Sequence, residues 1–242
     1  MLIKTAKNLN YVKSLKNPHS FSSLPISFGF VGREEKQKIS NINFLKQVHG
    51  TQILPVKNEM HTSHKGPRPE ADGLYTEKPE EKIAVRTADC LPLLLSDLNS
   101  NFVMALHAGW KGLSAGIIAS AITTIKEKYK TKPSNLVIFM GPCISQEAFE
   151  VGPEVIKSFQ KKAKDLMSEM VFKTCYKPGK ENRSFFCLRS YAFYSLLSHG
   201  VLTHNISAYQ TCTFLENHLW LSYRKEAPLK SHNWSWISLK TN

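Results

Sequence analysis

Apolar residues gather in short runs along the middle of the chain. Ile83 to Arg86, Leu91 to Ser96, Phe102 to His107 and Leu136 to Met140 are each strand-sized and bounded by polar or turn residues. Asp97-Leu98-Asn99-Ser100-Asn101 separates two of them and reads as a hairpin loop. Elsewhere the spacing becomes helical. Ile118, Ala121, Ile122, Ile125 and Tyr129 share one face of a helix expected over Leu113 to Tyr129. Val155, Phe159, Ala163, Leu166 and Met170 mark a second helix, and Leu188 to Ser198 a third. Later strands are expected at Ile206 to Cys212, Leu219 to Tyr223 and Trp234 to Leu239. Adjacent strands joined by a tight loop argue for an antiparallel or mixed sheet, so the expected class is α+β rather than a regular doubly wound fold. The polar stretch from Asn58 to Glu70 reads as an irregular loop, with strand-like segments on both sides. There is no internal repeat and no low-complexity linker, and residues 1–242 are read as a single domain.

Composition narrows the class. A 242-residue chain with 42% hydrophobic residues can bury a good core. No apolar run approaches the roughly 20 residues needed to cross a bilayer, so no membrane partner is expected. Lys4, Lys7, Lys13 and Lys16 lie among polar residues, without the apolar stretch of a signal peptide. A cytoplasmic protein is the expectation. The five cysteines are scattered and form no CxxC pair, which argues against a disulfide framework or a zinc ribbon. The formal charge of +13 attracts anions. The lysines are spread from end to end, however, and no arginine-rich block or aromatic ribonucleoprotein motif accompanies them, so nucleic acid is not the expected partner.

The candidate chemistry sits at the ends of apolar runs. The run Met104 to His107 ends on an imidazole and passes through Gly109 and Gly112 around Trp110-Lys111. Two other segments, Lys46-Gln47-Val48-His49-Gly50 and Thr87-Ala88-Asp89-Cys90-Leu91-Pro92, add a second imidazole and a thiol. His49, Cys90 and His107 would make a three-ligand zinc site with a fourth position left for water, whose acidity the ion raises. Their spacing matches no local metal motif. Taken singly, Cys90 suits a small buried hydrophobe, His107 a core histidine and His49 a turn residue before Gly50.

Seven segments occur together in a characteristic order: Lys46-Gln47-Val48-His49-Gly50-Thr51, Ala71-Asp72-Gly73-Leu74, Thr87-Ala88-Asp89-Cys90-Leu91-Pro92, His107-Ala108-Gly109-Trp110-Lys111-Gly112, Gly141-Pro142-Cys143-Ile144, Phe149-Glu150-Val151-Gly152, and Cys212-Thr213 followed by Ser222-Tyr223-Arg224. In this the chain resembles the YfiH family, also called the laccase-domain or polyphenol-oxidase family, from about Phe28 to Leu239. The resemblance implies an α+β sandwich of mixed sheets related to the cytotoxic necrotizing factor toxin. It places zinc ligands on His49, Cys90 and His107. It also implies phosphorolysis of adenosine, inosine and methylthioadenosine, with deamination of adenosine, so that purine nucleosides and inorganic phosphate are the expected partners. It leaves a homodimer open.

Asp72 or Glu150 could carry the proton that deamination requires; Asp72 could equally be a turn residue before Gly73, and Glu150 a cap or a lysine partner. Arg33, Lys111 and Arg224 are the candidates for holding phosphate, aided by the start of the helix after Gly109. Three alternatives stand beside this reading. Copper could occupy the same donors in a polyphenol oxidase, although the chain has no His-x-His pair. Cys90 and His107 could act as the nucleophile and base of a hydrolase. The chain could also be a nonenzymatic metal-binding protein.

Several features depart from the family pattern. Lys111 stands where an arginine is usual, the N-terminal part before Lys46 is shortened, and Phe186-Cys187-Leu188 occupies a segment that commonly carries aspartate. Pro228 to Asn233 stands where a Gly-Arg pair is usual after Ser-Tyr-Arg.

Overall fold

A computed structural model describes residues 23–33 and 41–241 of the chain. The basic stretch containing Lys4, Lys7, Lys13 and Lys16 lies outside them. In chain order the strands begin with β1 (Ile26–Val31), β2 (Ile42–Asn43), β3 (Ile53–Pro55), β4 (Gly73–Thr76), β5 (Lys82–Thr87), β6 (Leu91–Asp97) and β7 (Val103–Ala108). Helices α1 (Trp110–Ala115) and α2 (Ile117–Tyr129) follow, then β8 (Leu136–Met140), β9 (Glu150–Val151), α3 (Pro153–Leu166) and α4 (Glu169–Lys173). The remainder is β10 (Tyr176–Pro178), β11 (Ser184–Phe186), α5 (Leu188–Ser198), β12 (Ile206–Ala208), α6 (Tyr223–Glu226) and β13 (Asn233–Leu239).

The long apolar runs form the central strands of a mixed six-stranded sheet, ordered β12-β8-β6-β7-β4-β3. β6 and β7 pair antiparallel as the hairpin that the loop at Asp97 predicts, whereas β12 runs parallel to β8. A second sheet, β1-β13-β5-β2, packs on one face, and helices cover the other. The pleat sorts the side chains. Leu136, Ile138 and Met140 of β8 pack among the helices, while Val137 and Phe139 pack against the second sheet with Ile83, Val85 and Ile237. Burial on both faces is why β6, β7 and β8 read as nearly continuous hydrophobic runs. A small third sheet, β10-β11-β9, completes the α+β fold.

Departures from the expected elements have local causes. The helix expected from Leu113 begins at Trp110 and breaks at Gly116, whose φ of 102° lies in the left-handed region. The second helix ends at Leu166; the chain turns through extended Met167, and Ser168 caps α4 by accepting from the Val171 N–H at 3.3 Å. Met170 therefore falls on the outside and is 61% exposed. The strand expected at Leu219 to Tyr223 is absent: Leu219 is exposed, and α6 begins at Tyr223. Of the strand expected over Ile206 to Cys212, only Ile206–Ala208 pairs continuously, and Cys212 makes an isolated bridge to Cys143. β1, β2, β3, β4, β9, β10 and β11 have no counterpart in the expected set; most are too short to show a period. The stretch from Asn58 to Glu70 is irregular apart from one 3-10 turn, Asn58–Met60.

Candidate metal centre

Three separate connections carry the donors. His49 lies in the loop before β3 with a φ of 61°. Cys90 ends the turn that takes the chain from β5 in one sheet to β6 in the other; the preceding Asp89 has a φ of 86°. His107 lies near the end of β7. Their ligand atoms all fall within 4.8 Å of one another. The His49 and His107 rings stand nearly perpendicular, with centroids 4.7 Å apart.

Asp72 organises this group from behind. Its carboxylate accepts the Nδ1–H of His107 at 2.7 Å, together with the N–H groups of Val48, His49 and Gly50 at 3.2, 2.9 and 2.6 Å. One buried anion thus fixes the His107 ring and the backbone of the His49 loop. The engaged Nδ1 leaves Nε2 of His107 for an ion, the arrangement usual for metal-binding histidines. Burial alone would raise the Asp72 pKa, but the His107 and Gly50 hydrogen bonds bring it below the ordinary carboxylate value.

The electrostatics suit a thiolate. Burial pushes the Cys90 thiol up, yet the His107 charge and hydrogen bonds from His107 and His49 bring it down to about 6. Burial likewise disfavours a charged His107, but the Cys90 thiolate and Asp72 outweigh it and raise the imidazole to about 9. Each of the two side chains thus favours the charged form of the other. Space is also matched to the donors. A Cβ on Gly109 would stand 2.9 Å from Cys90 Sγ and 3.1 Å from His49 Cδ2, so only glycine lets them close over this backbone. Two imidazole nitrogens and one thiolate fit zinc, and the composition also suits copper.

The donors face a cavity of about 610 Å³, a volume suited to a small organic ligand. Trp110, Ile144, Phe149, Leu188 and Tyr223 give it apolar walls, and Arg86, Lys111, Arg224 and His232 add polar and cationic groups. Lys111 and Arg224 therefore reach the cavity as the sequence suggested. Arg33 does not line it: its guanidinium pairs with Glu226 and donates to the Asn217 carbonyl at 2.5 Å. Glu150 also lies outside the lining. Its carboxylate faces Arg183 at 3.7 Å, and its carbonyl accepts from Arg224 at 2.9 Å. Asp72 is fully buried behind His107. The helix after Gly109, α1, spans only six residues.

Sequence reasoning missed Gln47, Arg86 and His232 as lining residues. Arg86 did carry a signal, as the charged residue just before the Thr-Ala-Asp-Cys turn. Gln47 grips the Arg86 backbone from both sides, donating to its carbonyl at 2.7 Å and accepting its N–H at 2.8 Å. Asp89 ties the far segments together: it accepts from the Thr213 hydroxyl at 2.6 Å and the Arg224 N–H at 2.7 Å, and its carbonyl accepts from Ile144 at 3.0 Å.

The fold recurs among solved proteins. The Bacillus licheniformis hypothetical protein YfiH superimposes with a TM-score of 0.75 at 26% identity, covering 82% of this chain and 74% of that one. Neisseria meningitidis protein NMB0706 gives 0.72 at 28% identity, with 86% and 78% covered. The chain belongs to the family described as multi-copper polyphenol oxidoreductase laccase, whose family model matches residues 31–240. Among its relatives is the Escherichia coli protein named purine nucleoside phosphorylase YfiH, 33% identical over 183 residues that cover 76% of this chain and 68% of the relative. The Rickettsia conorii purine nucleoside phosphorylase RC0672 is 36% identical over 164 residues, covering 68% and 63%. The two sets of names imply different chemistry. Among the described residues only one three-donor group converges, that of His49, Cys90 and His107.

Proposed function

We propose that this chain is a zinc-dependent purine nucleoside phosphorylase acting on adenosine, inosine and methylthioadenosine, with adenosine deaminase activity at the same cavity. The observation that carries the reading is the convergence of His49, Cys90 and His107 in one cavity with aromatic walls and several cations. The relatives named purine nucleoside phosphorylase support its phosphorylase part. In phosphorolysis a phosphate oxygen bonds to ribose C1′ as the bond from C1′ to the base breaks; the electron pair leaves with the base, which takes up a proton. Trp110 and Phe149 offer flat apolar surface to a purine. Lys111 and Arg224 supply positive charge for the phosphate. Asp72, with all its acceptors engaged, acts as a positioning residue for His107; in this proposal neither Asp72 nor Glu150 carries the deamination proton. A zinc ion held by the three donors would supply a Lewis acid and make hydroxide available near neutral pH. We place the enzyme in the cytoplasm, in keeping with its free cysteines.

The test is direct. Metal-replete protein should release hypoxanthine from inosine in phosphate buffer and fail to do so in phosphate-free buffer. Inactivity toward adenosine, inosine and methylthioadenosine alike would overturn the proposal.

The closeness of Cys90 and His107, each favouring the charged form of the other, supports a second reading, a Cys90 nucleophile with His107 as its base. Alkylation separates the two. Zinc should protect Cys90 if it is a ligand, whereas rapid labelling in saturating zinc would favour the nucleophile.

A further inference from the structure

Among the described residues, no counter-charge faces Arg86. It lines the cavity from β5, its backbone clamped by Gln47. Its guanidinium carbon lies 4.8 Å from the Phe44 ring centroid and 5.8 Å from that of Trp234, so two aromatic rings hold the planar group. A second guanidinium, that of Arg68, lies 4.0 Å from the same Phe44 centroid. Arg68 has acceptors, the carbonyls of His61 and His64 at 3.2 and 3.3 Å. Arg86 has none for its side chain among the described residues, and its Nε is buried without a partner. The described groups around it add positive charge rather than cancel it. Burial, then Arg68, disfavours the charged form of Arg86; burial, then Arg86 and His107, disfavours that of His232. The carboxylate in the cavity lining, Asp89, already accepts from Thr213 and Arg224.

A half-buried guanidinium beside another cation is costly unless something supplies acceptors. A ligand oxyanion would do so, and the planar fork of arginine matches a phosphate with two parallel hydrogen bonds. We infer that Arg86, with His232 beside it, forms a phosphate-type oxyanion subsite of the cavity, on the wall built by β5 and the segment entering β13. The anion is either free inorganic phosphate or the phosphate ester of a nucleotide. The inference takes its ligand class from the nucleoside reading, but its test does not require turnover. It assigns to Arg86 a role for which the sequence offered Arg33 as one candidate; Arg33 is committed to Glu226.

The test is calorimetric titration of zinc-loaded protein with inorganic phosphate, adenosine 5′-monophosphate and adenosine, each alone. Arg86→Gln should weaken at least one of the anions by about 10- to 100-fold, the range for a lost charge-assisted contact, and leave adenosine within about twofold. Loss of inorganic phosphate identifies the free anion; loss confined to the monophosphate identifies the ester. Unchanged affinity for both anions, or an equal loss for adenosine, overturns the inference. Should the glutamine variant fail to fold, Arg86→Lys serves instead. It keeps the charge without the fork and should bind the anion several-fold more weakly; wild-type affinity overturns the inference. Intact phosphate binding in a protein that turns over no nucleoside would reject the proposed function and leave the subsite standing.

Discussion

Asp72 shows how much of the centre depends on a single side chain that never meets the cavity. Its oxygens hold the His107 ring and three backbone N–H groups around His49. Asp72→Asn keeps the size but loses the charge and half the acceptors. Zinc affinity should fall by about 10- to 100-fold, the usual effect of removing a carboxylate behind a histidine ligand; competition with a chromogenic chelator measures it, and unchanged affinity would contradict the assigned role. Glu226 offers a pH test away from the centre. The Arg33 hydrogen bond, and then the Ser222 N–H, hold its pKa below the ordinary 4.5. A carboxyl whose folded pKa is depressed stabilises the fold above its unfolded pKa and loses that contribution as pH falls through the folded value. The stability gap between wild type and Glu226→Gln should therefore be open at pH 6 and narrow as the pH falls below the ordinary 4.5. Urea denaturation across this range checks it, and a gap independent of pH would rule the pairing out.

At the scale of elements, the strands buried on both faces were the most legible part of the sequence. Strand Leu136 to Met140 occupies its expected limits, as does the helix Leu188 to Ser198. Breaks inside helices were harder to read, because the apolar spacing continues across them. Gly116 is the clearest case: the stripe from Leu113 to Tyr129 is unbroken in sequence, yet a left-handed residue separates α1 from α2. A Cβ at this position would meet only the Lys162 side chain at 3.5 Å and Ala119 at 3.9 Å. Gly116→Ala therefore carries a conformational cost rather than a clash, about 1–2 kcal/mol. Denaturant unfolding should show that loss, and unchanged stability would mean that the break relaxes into one continuous helix. The donors were legible because each ends or interrupts an apolar run. Arg86 offered only its charge before the Thr-Ala-Asp-Cys turn and His232 no signal, because their part of the lining forms only when β5 and the segment before β13 come together.

Across the whole molecule, the centre joins segments that sheet pairing and the Asp72 hydrogen bonds also bring together. His49 precedes a strand of the larger sheet, Cys90 sits on the crossing from β5 to β6, and His107 ends a central strand. An ion bound by all three stabilises the folded state through its binding free energy. Stripping zinc with a chelator should lower the thermal midpoint by several degrees and re-addition should restore it; scanning calorimetry reads both, and an unmoved midpoint would count against a shared ion. The central claim is that one ion takes nitrogen from His49 and His107 and sulfur from Cys90. X-ray absorption at the zinc edge of stoichiometrically loaded protein tests it most directly. The account predicts a shell with one sulfur and two imidazole nitrogens, from which the sulfur disappears in Cys90→Ser. A shell without sulfur in the wild type, or one unchanged in that variant, would contradict it.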